Sequence, residues 1–146
     1  MAPAAPMAPA TPTTRRVRTP SVRIVGGTFA GTDLTSPGGR VRPTAEELRV
    51  AWMELLGDRL DRARVLDLYA GTGAVGLEAL SRGARTVDFV ENNPAALHSL
   101  KANVAALRAT EWTRIFKKDA LRWVHRLEPG AYDVVFADPP YGSKQA

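Results

Sequence analysis

Apolar residues fall into two rhythms along the chain. Strands are predicted at residues 64–69, 86–91, 113–117 and 132–137, and the first, with Val65, Leu66, Leu68 and Tyr69, is the short apolar run expected of a strand buried on both faces of a parallel sheet. Between them the spacing turns helical, over 74–82, from Pro94 to about Arg108, and from Ala120 to Leu127. Strand and helix alternating in this way imply an α/β fold with a parallel sheet and ligands at the C-terminal strand ends. Ahead of this body, Val22, Ile24 and Phe29 among glycines predict a small β unit over 21–37. A helix over 45–56 places Leu48, Ala51, Trp52 and Leu55 on one face. Thr44 reads as its N-cap, with Glu47 completing a capping box.

The first strand leads into the chemistry. Arg64 to Leu68 ends at Tyr69-Ala70-Gly71-Thr72-Gly73, and a helix follows, so strand, glycine turn and helix start succeed one another. Such a turn brings backbone N–H groups close to a ligand with no Cβ in the way. Gly71, Gly73 and Gly76 spell G-x-G-x-x-G, a pattern that alone fits NAD as well as S-adenosylmethionine. Glu91, twenty residues past Gly71, ends the second strand where a ribose-binding carboxylate belongs. Asp67 favours S-adenosylmethionine. A carboxylate four residues before the first glycine suits a cationic sulfonium and ammonium better than a pyrophosphate; the plainer alternative is a loop cap. Asp67, Glu91, Asp119 and Asp138 all fall at predicted strand ends.

Asp138-Pro139-Pro140-Tyr141 follows the fourth strand. Two prolines remove N–H donors and stiffen a row of carbonyl acceptors. Asp138 adds a carboxylate, and Tyr141 adds a ring that can stack on a base. Acceptors that hold both N–H groups of an exocyclic amine can turn its lone pair toward an electrophilic methyl group.

Charge adds a partner. The net charge is +5, and residues 1–44 carry all of it, with six arginines against Asp33 alone. A basic arm beside a neutral body suggests a polyanionic substrate held by its phosphates. Residues 1–20 are rich in Ala, Pro and Thr and are expected to be a disordered tail. With no cysteine and two isolated histidines, no metal site is expected. No apolar run approaches membrane-spanning length, which leads to the expectation of a soluble, cytoplasmic protein.

These segments resemble the RsmD-type methyltransferases, which methylate the exocyclic N2 of a guanine in small-subunit ribosomal RNA. The likeness covers about residues 22–146. It includes R-I-V-G-G at 23–27, R-P-T at 42–44, L-D-L-Y-A-G-T-G at 66–73, F-V-E at 89–91, D-A-L at 119–121 and D-P-P-Y-G at 138–142. The resemblance implies a Rossmann-like S-adenosylmethionine-dependent methyltransferase sheet, with its first four parallel strands present, behind a small N-terminal β unit and helix. It implies a basic β unit at 21–44 and a cofactor-binding body at 45–146. Asp67, Ala70, Gly71 and Gly73 would surround the methionine part, Glu91 and Asn92 the ribose, and Asp119 and Ala120 the adenine. Asp138, Pro139, Pro140 and Tyr141 would hold the target amine. Arg23, Arg40 and Arg42 would face ribosomal RNA or the small ribosomal subunit, and the protein would act as a monomer. Val50 and Glu54 depart from the family's usual Glu and Asn. The family's sheet has seven strands, so an incomplete C-terminal part with an exposed apolar edge is expected. The rival readings are a DNA adenine-N6 or cytosine-N4 methyltransferase, an NAD-binding oxidoreductase and an inactive RNA-binding fragment.

Overall fold

A computed structural model of the protein describes residues 22–37 and 44–140. The tail at 1–20, Arg40, Arg42 and Tyr141 lie outside the described residues. The N-terminal unit is a two-stranded antiparallel pair, β1 (Val22–Arg23) and β2 (Asp33–Leu34). Then come α1 (Glu46–Leu56), β3 (Arg64–Leu68), α2 (Ala74–Ser81), β4 (Thr86–Glu91) and α3 (Pro94–Ala106). The chain continues through β5 (Thr113–Lys117), α4 (Ala120–Val124) and β6 (Val134–Ala137). The main sheet has the order β5-β4-β3-β6 and is parallel throughout. All four predicted body strands are present. The last is shorter at its start than its apolar run suggests.

Strand residues alternate between two cores. Val65, Val87, Phe89, Val134 and Phe136 join the larger core with residues of α1, α2 and α3. Leu66, Leu68 and Val90 face the other way, with Ala120 of α4 and the partly buried Phe116, Trp123 and Tyr132. Each fully buried Val, Leu or Phe contributes roughly 1.5–3 kcal/mol, as an upper bound. On the α4 face, Asp88 accepts from Arg114 Nη2 at 2.7 Å and from the Tyr132 hydroxyl at 2.5 Å. Burial first, then this bond to Asp88, pushes the Tyr132 phenol up to about 12. The bond ties the chain entering β6 to the sheet.

The N-terminal unit folds as anticipated, with Val22, Ile24 and Leu34 buried. α1 does not bury the face that its leucines suggest. Leu55 is 84% exposed and Leu48 42%, whereas Arg49 and Met53 are each 1% exposed. The helix is turned by Arg49. Its Nε meets Glu78 Oε1 of α2 at 3.2 Å, and its Nη2 donates to the Arg23 carbonyl. Trp52 is partly buried and stacks on Phe136 of β6, with ring centroids 5.7 Å apart. Thr44 is not the cap. The cap position is Ala45, whose methyl group cannot cap, and the Thr44 hydroxyl is directed elsewhere. α3 follows its sequence signals: Asn93 Oδ1 accepts from Ala96 N at 2.9 Å, and Pro94 opens the first turn. No helix among the described residues is long and apolar enough to cross a membrane.

Candidate functional site

β3 is where the strand order turns back. The chain runs from β3 through β4 to β5 on one side, then returns to place β6 on the other. That is the switch point at which open α/β sheets leave a crevice. Along this end of the sheet lie, in order, Asp119 after β5, Glu91 at the end of β4, the glycine loop after β3 and Asp138 after β6.

Asp67 sits one residue inside β3, in register with Phe89 and Phe136, and is 3% exposed. Its Oδ2 accepts from Gly76 N at 2.9 Å, inside the first turn of α2. Burial holds its pKa well above the usual carboxylate range. The Gly76 N–H pulls it back, and the negative charges of Glu91 and Asp138 raise it further. The start of α2 therefore has a carboxylate beneath it.

The loop closes by a bond from Gly73 N to the Ala70 carbonyl at 2.9 Å, while Ala70 N reaches the Val90 carbonyl at 3.1 Å. Gly71 and Gly73 have φ of +60° and +88°. A Cβ on Gly71 would meet nothing within 4 Å, so this glycine leaves the backbone open to a ligand. Gly76 serves packing instead, since its Cβ would lie 2.5 Å from Phe89 Cε1. Tyr69, just before the loop, has φ +58°, a backbone strain at the site that no sequence signal indicated.

Glu91 is anchored by three backbone donors. Its Oε1 accepts from Gly71 N at 2.7 Å, and its Oε2 from Asn92 N at 3.2 Å and Asn93 N at 2.9 Å. Asp119 caps α4 by accepting from Leu121 N at 3.2 Å, and Ala120 is buried beside it. Asp138, Pro139 and Pro140 are exposed at the end of β6. Asp138 Oδ2 accepts from the Thr44 hydroxyl at 2.6 Å. Arg23 is exposed and forms an ion pair with Asp33 at 3.6 Å across the β1–β2 pair; no contact carries its side chain to the carboxylates among the described residues.

Three supporting groups escape a reading by periodicity. Glu78, fully buried in α2, accepts from Val25 N at 3.0 Å, Gly26 N at 2.9 Å, Arg49 Nε at 3.2 Å and Arg82 Nε at 2.8 Å. Ser81 Oγ donates to the Gly26 carbonyl at 2.6 Å and accepts from Phe29 N at 2.8 Å. Asn103 Nδ2 reaches the carbonyls of Thr72 at 2.9 Å and Thr35 at 3.0 Å, which joins the glycine loop to the N-terminal unit. A polar residue within an apolar helical stretch was the signal available for each.

The arrangement has a clear charge character. Two loop N–H groups, those of Gly71 and Gly76, already bind carboxylates. A phosphate placed there would meet negative charge, whereas a cation would be welcomed. No group of three His, Cys, Asp or Glu that could hold a metal ion occurs among the described residues.

Comparison with known proteins bears on the same region. The family described as conserved hypothetical protein 95 matches residues 22–146. A Bacillus subtilis (strain 168) protein named "Putative rRNA methyltransferase YlbH" is 34% identical over 124 residues, spanning 82% of this chain and 67% of that protein. Ribosomal RNA small subunit methyltransferase D of Escherichia coli (strain K12) is 35% identical over 123 residues, 82% of this chain and 60% of its own length. Among solved structures, "Putative methyltransferase yhhF from Escherichia coli" superposes with a TM-score of 0.72 at 31% identity, covering 84% of this chain and 66% of that one. The chain thus spans about two thirds, or somewhat less, of the length of these relatives. With the match running from the N-terminal β unit through the whole parallel sheet, the chain belongs to the conserved hypothetical protein 95 family, the RsmD-type methyltransferases.

Proposed function

We propose that the chain carries the cofactor and amine sites of an S-adenosylmethionine-dependent ribosomal RNA methyltransferase that acts on the exocyclic N2 of a guanine. The observation that carries the cofactor choice is the pair of carboxylates bonded to the loop, Asp67 to Gly76 N and Glu91 to Gly71 N. A dinucleotide needs those N–H groups for its pyrophosphate. S-adenosylmethionine has no phosphate, and when bound it supplies an electrophilic methyl group. Glu91, held by three N–H groups, presents its oxygens to the ribose hydroxyls. Asp67 places a carboxyl below the methionine end, where a cationic ligand would favour its ionised form. Asp119 and Ala120 flank the adenine.

The amine side rests on Asp138, Pro139 and Pro140. Asp138 accepts an N–H of the target amine and turns the nitrogen lone pair toward the cofactor. A proton must leave that nitrogen once the new N–C bond forms, and the exposed Asp138 carboxylate gives it a path to solvent. One correctly placed acceptor is worth roughly 2–4 kcal/mol of barrier, by analogy with oxyanion-hole deletions. The Escherichia coli and Bacillus subtilis relatives, both named as ribosomal RNA methyltransferases, support ribosomal RNA as the substrate class. The basic residues ahead of the sheet suit that polyanion.

Calorimetric titration with S-adenosylhomocysteine, with NADH as control, tests the cofactor class. Binding of NADH alone would overturn it. Methyl transfer to stripped ribosomal RNA, assembled subunits and DNA then tests the substrate. Methylated guanine N2 in RNA is the expected product, and methylation of DNA alone would reject the reading. Asp138→Ala is expected to abolish transfer while leaving S-adenosylhomocysteine binding intact, whereas Glu91→Ala weakens binding first.

A further inference from the structure

We infer that Thr44 is a positioning residue for Asp138: its hydroxyl fixes the orientation of the carboxylate that receives the target amine. This rests on the reading of Asp138 given above. The bond from Thr44 Oγ1 to Asp138 Oδ2 is 2.6 Å, within the range for a hydroxyl donating to a carboxylate. It joins two positions 94 residues apart in the chain.

The local context makes this bond unusual. Thr44 stands two residues before the first residue of α1, where the sequence offers it as the helix cap. Here the cap position is Ala45, with φ −57° and ψ 141°, which makes no side-chain cap bond. A threonine cap is worth typically about 1 kcal/mol. That contribution is forgone, and the hydroxyl goes to a carboxylate at the sheet's functional end. Departures from a local rule that benefit a site in this way mark functional residues.

The start of α1 is also held over β6 by a second contact. Trp52, two turns further along the helix, stacks on Phe136 with an interplanar angle of 18°. Phe136 is two residues before Asp138. Arg49 locks the same helix to Glu78. The donor is therefore mounted on an element whose position relative to β6 is set independently of the bond itself. With Oδ2 held by Thr44, the carboxylate plane is fixed and Oδ1 is the oxygen turned to the amine. Without the hydroxyl, Asp138 rotates about χ1 and χ2, and productive alignment is lost.

The test compares the wild-type chain with Thr44→Val, which keeps the shape but removes the hydroxyl, and Thr44→Ser, which keeps the hydroxyl. Thr44→Val should lower kcat by up to about 100-fold, the scale of a misplacement of about 1 Å. KM for the RNA and affinity for S-adenosylhomocysteine should stay within about twofold, and Thr44→Ser should restore most of kcat. An unchanged kcat in Thr44→Val would overturn the inference. So would a Thr44→Ser variant as impaired as Thr44→Val, or a parallel loss of cofactor affinity, which would indicate a purely structural role. An NMR measurement of the Asp138 χ1 couplings decides the geometry without any turnover. A single rotamer in the wild type that averages in Thr44→Val supports the inference, and identical couplings overturn it. A wild-type chain that transfers no methyl group to any nucleobase amine would instead reject the functional reading of Asp138, leaving the couplings to judge Thr44.

Discussion

Removing the Arg49 guanidinium should be the most damaging single change in the N-terminal half. In Arg49→Met, Glu78 keeps its full burial but loses the Nε donor at 3.2 Å, and the Arg23 carbonyl loses its partner. Breaking a buried ion pair by removing one partner costs about 3–5 kcal/mol. Neither side chain of this pair is more than 2% exposed, so water cannot screen the loss. Arg82 still contacts Glu78 at 2.8 Å, which places the expected loss near the lower end, about 3 kcal/mol. Against a typical domain stability of about 5–15 kcal/mol, that is a large fraction. The midpoint of thermal unfolding should fall by roughly 10 °C. Urea denaturation gives the measurement, with an unchanged slope as the sign that only stability moved. Arg82→Met should cost less, because the Arg82 side chain is 21% exposed and its bond to Glu78 spans a single helical turn. A loss below about 1 kcal/mol for Arg49→Met, or the opposite ranking of the two variants, would refute the account of Glu78 as a charge whose burial depends on Arg49.

Two further outcomes follow from the floor of the site. Because the fold holds the pKa of Asp67 well above the usual carboxylate range, its contribution to stability is complete below that range and is lost as pH rises through the raised folded value. The stability of Asp67→Asn relative to wild type should therefore improve as urea midpoints are followed upward from about pH 4, and a pH-independent difference would refute this. Gly76→Ala should cost about 1–3 kcal/mol through overpacking, because its Cβ would lie 2.5 Å from Phe89 Cε1 and 2.8 Å from Val87 Cγ1; an equally stable variant would show that α2 can shift away from the sheet.

What could be read from the sequence divides along physical lines. β3 and β4 were legible because a parallel strand between helices is largely apolar on both faces, as the residues around Val65 and Phe89 are, whereas β5, an edge strand with Arg114 and Lys117 exposed, was legible from the alternation of elements. The glycine loop and the carboxylates at 67, 91, 119 and 138 were legible as a set because the alternation of elements puts strand ends together. α1 was misread. Leu48, Ala51, Trp52 and Leu55 form the better apolar stripe, yet Arg49 outweighs it because its partner, Glu78, waits 29 residues away. Spacing along one helix cannot report a charge on another. Thr44 was misread for a related reason. Local rules assign its hydroxyl to the nearest free N–H groups, while the actual acceptor lies 94 residues on, just past the end of β6. The pairing of Arg23 with Asp33 across the short hairpin was not legible, since a cross-strand neighbour cannot be known before the register is.

The bonds that dock the N-terminal unit have a temporal meaning. Val25, Gly26 and Phe29 are made early in synthesis, but the side chains that receive or donate to them, Glu78 and Ser81, come 52 to 55 residues later. Until α2 has left the ribosome, the first-made segment has nothing to settle on. The contact between Thr44 and Asp138 waits longer still, across 94 residues. The final place of this N-terminal unit is thus decided by helices that do not yet exist when it emerges.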